Sequence, residues 1–250
     1  MIKIVNFASG SKGNFTLIKD DKTSIVIDCG ISKNLADLAL NSENLNFSGV
    51  NFALFTHSHY DHIMGENYFK KEQKFALSKT LTEGEFNVIK PYTFYNFGSF
   101  KVEPLKTSHD TLTPCGFKLI HDSGLDIVYL TDTGMIPKRT LKEISNASIY
   151  IIESNHDEDM LFSSNRPEIL KNRIYGPKGH LSNKDSAIYM TTLVGNRTEA
   201  IFLAHLSEEC NTPELALDTY YDIFYKYGMS LQDIVIDTFK QREKTEYVKN

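Results

Sequence analysis

The 250-residue sequence predicts a mixed α/β (α+β) fold in which helices cover β-sheets. Short apolar runs of strand length fill most of the first third of the chain, and similar runs alternate with segments of helical length in the second half. Apolar residues form 41% of the sequence, which is sufficient for one large core. Since no repeat, low-complexity tract or linker interrupts the chain, we predict a single domain over residues 1–250.

The first half is expected to consist mainly of strands, because its apolar runs are short and are separated by Gly, Asn, Asp and Ser. The loop Ser9–Asn14 closes the first strand, and Ser32 is suited to cap a helix that runs through Leu38. A further helix is predicted over residues 63–74. Strands are predicted at residues 2–8, 15–18, 24–27, 52–55, 75–78 and 97–108.

The second half is expected to mix strands and helices. Ser182 and Asp185 have the spacing of a helix-capping box, and Thr212 precedes Pro213 at the start of a long helix. The charged tail from Gln241 is expected to fray. Strands are predicted at residues 116–120, 126–130, 149–152 and 200–204, and helices at residues 167–175, 182–193 and 212–227.

Charge and cysteine content exclude several classes of protein. A net charge of −5 argues against a globally basic, nucleic-acid-binding surface. The three cysteines have no CxxC spacing, so neither a zinc knuckle nor a disulfide framework is indicated, and a reducing cytoplasm is expected. Cys29 is expected to be a buried packing residue. We expect no signal peptide, and no apolar run approaches the roughly 18 residues that a membrane span needs.

The run Thr56–His62 contains three imidazoles and one carboxylate within six residues. Imidazole and carboxylate suit zinc, manganese or iron better than calcium. The run follows the apolar segment 52–55, so a buried strand would hold these side chains on rigid backbone. The sequence therefore predicts a metal site at the end of this strand.

Metal-binding residue types also follow other predicted strands. Because strand ends that meet at one edge of a sheet recurrently carry ligands and catalytic groups, we expect these residues to share one site. They are Asp28, His57, His109, Asp132 and His205.

With these residues in place, the sequence resembles the metallo-β-lactamase superfamily, whose THxHxDH signature is present in full from Thr56 to His62. The resemblance implies a four-layer αββα sandwich with two divalent metal ions, manganese or zinc, at one edge. It also implies that His57, His59 and His109 bind one ion, that Asp61, His62 and His205 bind the other, and that Asp132 bridges them. Asp28 is then expected to orient a ligand histidine.

A narrower resemblance is to the YycJ/WalJ group of bacterial metallohydrolases, which are described as DNA exonucleases of 5′-to-3′ polarity with a dinuclear manganese-type centre. The segments that carry it are 8–14, 27–32, 153–157, 179–183 and 205–214. It implies a DNA substrate and a cytoplasmic enzyme; it implies nothing about oligomeric state.

The expected reaction is hydrolysis of a phosphodiester by in-line attack of a metal-bridging hydroxide, with Asp61, Asp132 and His180 as catalytic residues. His180 lies two residues before the Ser182 cap, beside a helix N-terminus that suits phosphate. It is therefore expected either to contact a phosphate or leaving group, or to be hydrogen-bonded into its loop. The residues Lys171, Arg173, Lys178 and Lys184 are expected either to track a phosphate backbone or to be scattered surface charges.

Two further features remain open, namely the role of His156 and whether the Ser9–Asn14 loop contacts phosphate or forms a plain turn.

Other functions fit less well. A hydrolase of a small ester, lactone or thioester on the same fold is the principal alternative, because fold does not fix substrate. A diiron oxidoreductase would have Glu in place of His59, and a metal-free binding module would lack ligands. Asp132 and His205 are 73 positions apart, which leaves no room for the inserted domain of β-CASP nucleases.

Overall fold

The computed structural model describes residues 1–78 and 85–249. Its strands are β1 (Ile2–Ala8), β2 (Phe15–Lys19), β3 (Ser24–Ile27), β4 (Phe52–Leu54), β5 (Lys74–Ala76), β6 (Asn87–Val88), β7 (Tyr95–Phe97), β8 (Phe100–Lys106), β9 (Cys115–His121), β10 (Asp126–Leu130), β11 (Ile149–Glu153), β12 (Ala200–Ala204), β13 (Val235–Thr238) and β14 (Thr245–Lys249).

Its α-helices are α1 (Lys33–Asn41), α2 (Tyr60–Ile63), α3 (Lys138–Ile144), α4 (Glu158–Ser163), α5 (Glu168–Tyr175), α6 (Asn183–Leu193) and α7 (Pro213–Lys226). Short 3-10 helices occur at Phe47–Gly49, Glu66–Tyr68 and Lys71–Gln73. Among the described residues, none of the helices combines the length and apolar character needed to cross a lipid bilayer.

The chain divides into two compact units. The first comprises Met1–Pro104, Thr111–Cys115 and Lys240–Asn250, and the second comprises Leu105–Asp110 and Gly116–Phe239. Each unit contains a β-sheet and helices, so the mixed α/β class is confirmed. The single domain over residues 1–250 stays a prediction.

The sheet of the first unit has the strand order β14-β1-β2-β3-β4-β5-β6. Strands β3, β4, β5 and β6 pair in parallel, whereas the pairs β14-β1, β1-β2 and β2-β3 are antiparallel. Because β3 and β4 run the same way, the residues that follow them meet at one sheet edge. There the N–H of Asp28 donates to the carbonyl of Leu54 at 2.9 Å.

In the second unit, the strands β13, β12, β11 and β10 follow one another in parallel pairs, and β9 pairs with β10 antiparallel. Every residue of β10, β11 and β12 is buried, so both faces of these strands are covered. Their carboxyl ends therefore carry the polar side chains at one edge. Asp132, Glu153 and His205 lie at those three ends.

The helix caps that the sequence predicts are confirmed in two cases. The Ser182 hydroxyl accepts from the Asp185 N–H at 3.1 Å, and the Thr212 hydroxyl accepts from the Leu215 N–H at 3.1 Å. Ser32 precedes α1, but its side chain makes no capping hydrogen bond.

Two predicted elements differ from the structure. The helix predicted over residues 63–74 is replaced by the four-residue α2 and two 3-10 turns, because the Gly65 N–H donates to the carbonyl of Cys29 and tertiary contacts override helix propensity. The tail from Gln241, expected to fray, forms β14 and pairs with the edge of β1 that β2 leaves unpaired.

A buried carboxylate holds this C-terminal strand in place. The Glu43 side chain is 3% exposed and accepts salt bridges from Lys3 at 2.9 Å, Lys19 at 3.0 Å and Lys244 at 2.6 Å. Burial alone raises the pKa of this carboxyl, but its bonds to the three lysines lower the pKa from 4.5 to about 2. Glu43 therefore joins β1, β2 and the segment before β14 through charge-assisted hydrogen bonds.

We expect Glu43→Gln to lower the free energy of unfolding at neutral pH by up to about 3 kcal/mol, which corresponds to the depressed pKa. Because the pKa is lowered in the folded state, this stabilisation is present above pH 4.5 and is lost as the pH falls towards 2. Urea unfolding should show that, as the pH falls from 4.5 to 2, the free energy of unfolding decreases less in the variant than in the wild type.

Glu246→Gln is the matched control for this measurement. Glu246 contacts two of the same lysines but its side chain is 49% exposed, so we expect a change below about 1 kcal/mol. If the free energy of unfolding fell equally steeply with pH in the wild type and in Glu43→Gln, the stabilising role of the Glu43 carboxylate would be contradicted.

Candidate functional site

The first unit brings four predicted ligands together directly after β4, and we call them the histidine cluster. They are His57, His59, Asp61 and His62. The ring centroid of His57 lies 4.7 Å from that of His59 and 4.1 Å from that of His62. The Nε2 atom of His62 lies 3.6 Å from a carboxylate oxygen of Asp61. His57 and His62 are buried, whereas Asp61 remains partly exposed. The cluster therefore combines imidazole and carboxylate donors.

Two residues at the same sheet edge fix the rings of this cluster. Asp28 accepts from Nδ1 of His62 at 2.8 Å, and the Thr56 hydroxyl donates to Asp28 at 2.8 Å. The Thr56 hydroxyl also lies 3.0 Å from Nδ1 of His57. Because Nδ1 is engaged in both rings, Nε2 is the atom that a metal would take, and at His62 the metal would replace the Asn14 side chain, which lies 2.9 Å from Nε2. The contact predicted between Asp28 and a histidine is present.

The backbone at this edge has a conformation that few side chains tolerate. Asp28 has φ of 57°, in the left-handed region, where Asp and Asn are the most acceptable non-glycine residues. A Cβ atom on Gly30 would lie 1.5 Å from the carbonyl oxygen of Asp61, so only glycine allows this approach. The segment Asp28–Gly30 is therefore shaped to fit against the start of α2.

The Ser9–Asn14 loop supports the histidine cluster through Asn14. The Asn14 side chain lies 2.9 Å from Nε2 of His62 and its backbone N–H donates to the carbonyl of Asp61 at 2.8 Å. The N–H groups of Gly10 and Gly13 are used within the loop. These bonds favour a plain supporting turn over a phosphate-binding loop.

The second unit brings the predicted residues His109, Asp132, His180 and His205 together with Glu153; we call these five residues the acidic cluster. Ligand atoms of the last four all lie within 4.8 Å of one another. One oxygen of Asp132 lies 3.5 Å from Nδ1 of His180, 3.6 Å from Nδ1 of His205 and 3.8 Å from Nε2 of His109. Asp132 is therefore central among three imidazoles.

Glu153 is a site residue to which the sequence assigned no role. It is fully buried at the end of β11 and accepts from Nδ1 of His180 at 2.8 Å and from Nδ1 of His205 at 3.0 Å. Its second oxygen accepts from the N–H groups of Thr133 at 2.8 Å and Leu181 at 3.3 Å. Its position after the apolar run 149–152 was the available signal.

The electrostatic state of Glu153 follows from these contacts. Burial by itself raises the pKa of a carboxyl, but the charge and hydrogen bond of His180, together with the hydrogen bond of His205, hold the pKa of Glu153 below its usual range. Glu153 is therefore an ionised acceptor that orients both imidazoles.

Three strained or crowded backbone positions, at Asp132, Gly179 and His205, help to hold the acidic cluster. Asp132 and His205 have φ of 54° and 58°, and such residues cluster at functional sites. The carbonyl of Gly179 accepts from Nδ1 of His109 at 3.0 Å, and a Cβ on Gly179 would lie 2.1 Å from the carbonyl oxygen of Ile174. The same carbonyl of Ile174 accepts from the N–H of His180 at 2.8 Å, so the loop before His180 is fixed from both ends.

Both clusters fit a divalent transition metal by the chemistry of their donors. His62, His109 and His205 each have Nδ1 bonded to a carboxylate or carbonyl, which is the arrangement found around metal-binding histidines. Such bonds fix the tautomer and direct Nε2 towards a metal.

His156, whose role was open, is fully buried, and neither ring nitrogen has a hydrogen-bond partner among the residues that the structure describes. Burial, with a smaller contribution from His180, lowers the pKa of His156 to about 4, so the ring is neutral at pH 7. It packs against Tyr175 with ring centroids 6.4 Å apart. Cys29 is likewise buried, and burial raises the pKa of its thiol, as expected for a packing residue.

The four basic residues near position 180 do not form one positive patch. Lys171 is buried and bonds to the carbonyl of Phe162 and to Glu168. Arg173 pairs with Asp110. Lys178 and Lys184 are exposed. Since salt bridges neutralise two of these charges, the interpretation as scattered surface charges is the better one.

Comparisons with known proteins agree on one family. Residues 9–86 match the family model for the metallo-beta-lactamase superfamily. The chain is 31% identical to exodeoxyribonuclease YycJ of Bacillus anthracis, over 96% of this chain and 97% of that protein. It is 34% identical to exodeoxyribonuclease WalJ of Streptococcus pneumoniae serotype 2, over 84% of this chain and 83% of that one.

Solved structures confirm the fold. The metallo-beta-lactamase fold protein YhfI from Bacillus subtilis superposes with a TM-score of 0.68 at 15% identity, covering 99% of this chain and 100% of that one. The αββα fold class expected from the resemblance is therefore confirmed.

Proposed function

Because this chain belongs to the metallo-β-lactamase superfamily and to its YycJ/WalJ group, we propose that it is a dinuclear phosphodiesterase that degrades DNA from an end. It is a metal-dependent hydrolase. The principal support is that ionised or Nδ1-bonded donors stand at the carboxyl ends of parallel strands in each unit. The relatives' names as exodeoxyribonucleases support DNA as the substrate.

We assign His57, His59 and His109 to one metal ion, Asp61, His62 and His205 to the other, and Asp132 to both. Bound manganese or zinc would lower the pKa of a water molecule and stabilise charge on a phosphoryl oxygen. The polarity, 5′ to 3′, and the cytoplasmic location belong to this proposal as well.

His180 is assigned to the substrate rather than to a metal. Its side chain is 19% exposed, and its Nδ1 is held by Glu153 at 2.8 Å. With Nδ1 fixed, Nε2 remains to contact a phosphate oxygen or to give a proton to the leaving oxygen. Glu153 would stabilise the protonated ring during that step.

The test is cleavage of DNA labelled at either end, single- or double-stranded, with Mn²⁺, with Zn²⁺ or with chelator. We expect release of mononucleotides from the 5′ end, complete loss with chelator, and recovery when the metal is returned. Closed circular single-stranded DNA is the control for end dependence, and RNA of the same sequence is the control for substrate. Hydrolysis of a lactone or thioester without any cleavage of DNA would replace this function with the alternative.

A further inference from the structure

Two exposed aromatic rings stand together beside the loop that carries His180. Phe162 lies near the end of α4 and Tyr175 is the last residue of α5, and they are 43% and 47% exposed. Their ring centroids are 5.3 Å apart at an interplanar angle of 67°. Other aromatic side chains of this protein are also exposed, among them Phe94 and Tyr225. This pair differs because its two rings contact each other at the surface, and contiguous apolar surface is typical of a binding site.

The aromatic pair is held rigidly with respect to His180. Tyr175 directly follows Ile174, whose carbonyl accepts from the N–H of His180 at 2.8 Å. Lys171 on α5 donates to the carbonyl of Phe162 at 2.8 Å, which ties the two helices together. Both helices that carry the rings are therefore fixed to each other, and α5 is fixed to the loop of the proposed catalytic histidine, as a substrate-positioning surface requires.

The surroundings of the pair suit an uncharged, flat ligand next to a phosphate. The buried His156 packs behind Tyr175 and is neutral at pH 7. Exposed Lys178 lies between Tyr175 and His180 in the chain and adds a positive charge. Proteins that bind single-stranded nucleic acid combine aromatic rings, on which bases stack, with cations that contact the backbone.

We propose that Phe162 and Tyr175 form a stacking platform for an unpaired nucleobase near the scissile phosphate. This inference rests on the proposed nuclease function and specifies its substrate: a DNA strand whose terminal bases are unpaired. Stacking is tolerant of sequence, because every base has an aromatic face. The enzyme should therefore prefer single-stranded or frayed ends over blunt duplex ends.

The test is a binding cycle that changes the protein ring and the nucleic-acid base separately. Fluorescence anisotropy, with chelator to prevent cleavage, measures the affinity for a labelled thymidine oligonucleotide and for an abasic oligonucleotide of equal length and charge. We expect the wild type to bind the thymidine strand about 10-fold more tightly. Tyr175→Leu should abolish this preference while leaving the affinity for the abasic strand unchanged, because only the ring–base pair is lost.

Two variants control the cycle. Tyr175→Phe keeps the ring and should keep the preference. Tyr225→Leu removes an 84% exposed tyrosine from α7 and should also keep the preference for the thymidine strand. A wild type without a base preference, or a Tyr175→Leu variant that retains it, overturns the platform.

Cleavage of end-labelled DNA, with the abasic oligonucleotide as a substrate without bases, separates the two proposals. We expect Tyr175→Leu to raise KM for DNA about 10-fold and to leave cleavage of the abasic strand unchanged. DNA cleavage by a protein without base preference would refute the platform alone. Absence of DNA cleavage by the wild type with either metal would refute the proposed function itself.

Discussion

Asp132→Asn is expected to reduce the hydrolysis of DNA by about 10³-fold or more while the protein remains folded. One oxygen of Asp132 lies within 3.8 Å of nitrogen atoms of His109, His180 and His205. A neutral amide in that position offers one acceptor oxygen instead of two and removes a negative charge. Both changes should weaken the binding of the two metal ions that we assign to Asp132.

Asparagine is chosen because of the backbone at this position. Asp132 has φ of 54°, and Asn accepts the left-handed region nearly as well as Asp, whereas Ala would add strain. The substitution therefore changes the charge and little else. Circular dichroism and the Tm should stay close to the wild-type values.

Asp126→Asn is the matched control, because Asp126 lies at the opposite end of the same strand, β10. It is also a buried carboxylate and accepts from Ser148 and Arg197 at 2.9 Å. This variant should lose stability but keep kcat. If Asp132→Asn retained wild-type turnover, the assignment of Asp132 to the centre would be wrong.

Glu153→Gln is expected to reduce metal affinity and activity by about 10- to 100-fold, although Glu153 is assigned to neither metal ion. Its two oxygens accept from two imidazoles and two backbone N–H groups. A glutamine amide has only one acceptor oxygen. The backbone donors cannot change, so the amide nitrogen would turn towards His180 and His205.

That orientation would force Nδ1 of both rings to act as an acceptor and would place the proton on Nε2. A protonated Nε2 cannot bind a metal, so His205 would lose its assigned role, and His180 would lose the carboxylate that stabilises its charged form. The effect is therefore transmitted through the tautomer of the ring and not through a missing ligand.

The measurement is metal stoichiometry at limiting Mn²⁺ or Zn²⁺, followed by the rate at saturating metal. Asp126→Asn is again the control: it removes a buried carboxylate from the same unit and should bind metal normally. Wild-type metal affinity in Glu153→Gln would show that Glu153 contributes packing and hydrogen bonds without controlling the imidazoles.

Local chemistry explains why much of the fold could be predicted. The strands β10, β11 and β12 are short, continuously apolar runs, and their predicted bounds agree with the structure to within one residue. Ser182 and Thr212 cap their helices because a hydroxyl at that position satisfies an unpaired N–H whatever the surroundings. Such signals act over a few residues.

The failures have a common cause in long-range contacts. The predicted helix over 63–74 is interrupted where Gly65 bonds to Cys29, and the predicted frayed tail pairs with β1 more than 230 residues away in sequence. None of these partners is apparent from the neighbouring residues.

The sequence by itself determined the chemistry of this protein: which donors it has, that they follow apolar strands, and which superfamily they indicate. Only the tertiary structure decided how those donors are oriented. In each sheet, parallel strands bring their carboxyl ends to one edge. At the edge of the first unit's sheet, Asp28 selects the ring nitrogen of His62, 34 positions away, and at the edge of the second unit's sheet Glu153 selects those of His180 and His205, 27 and 52 positions away. A hydrogen bond depends on the distance between two atoms in space, and the number of residues between them in the sequence does not determine that distance.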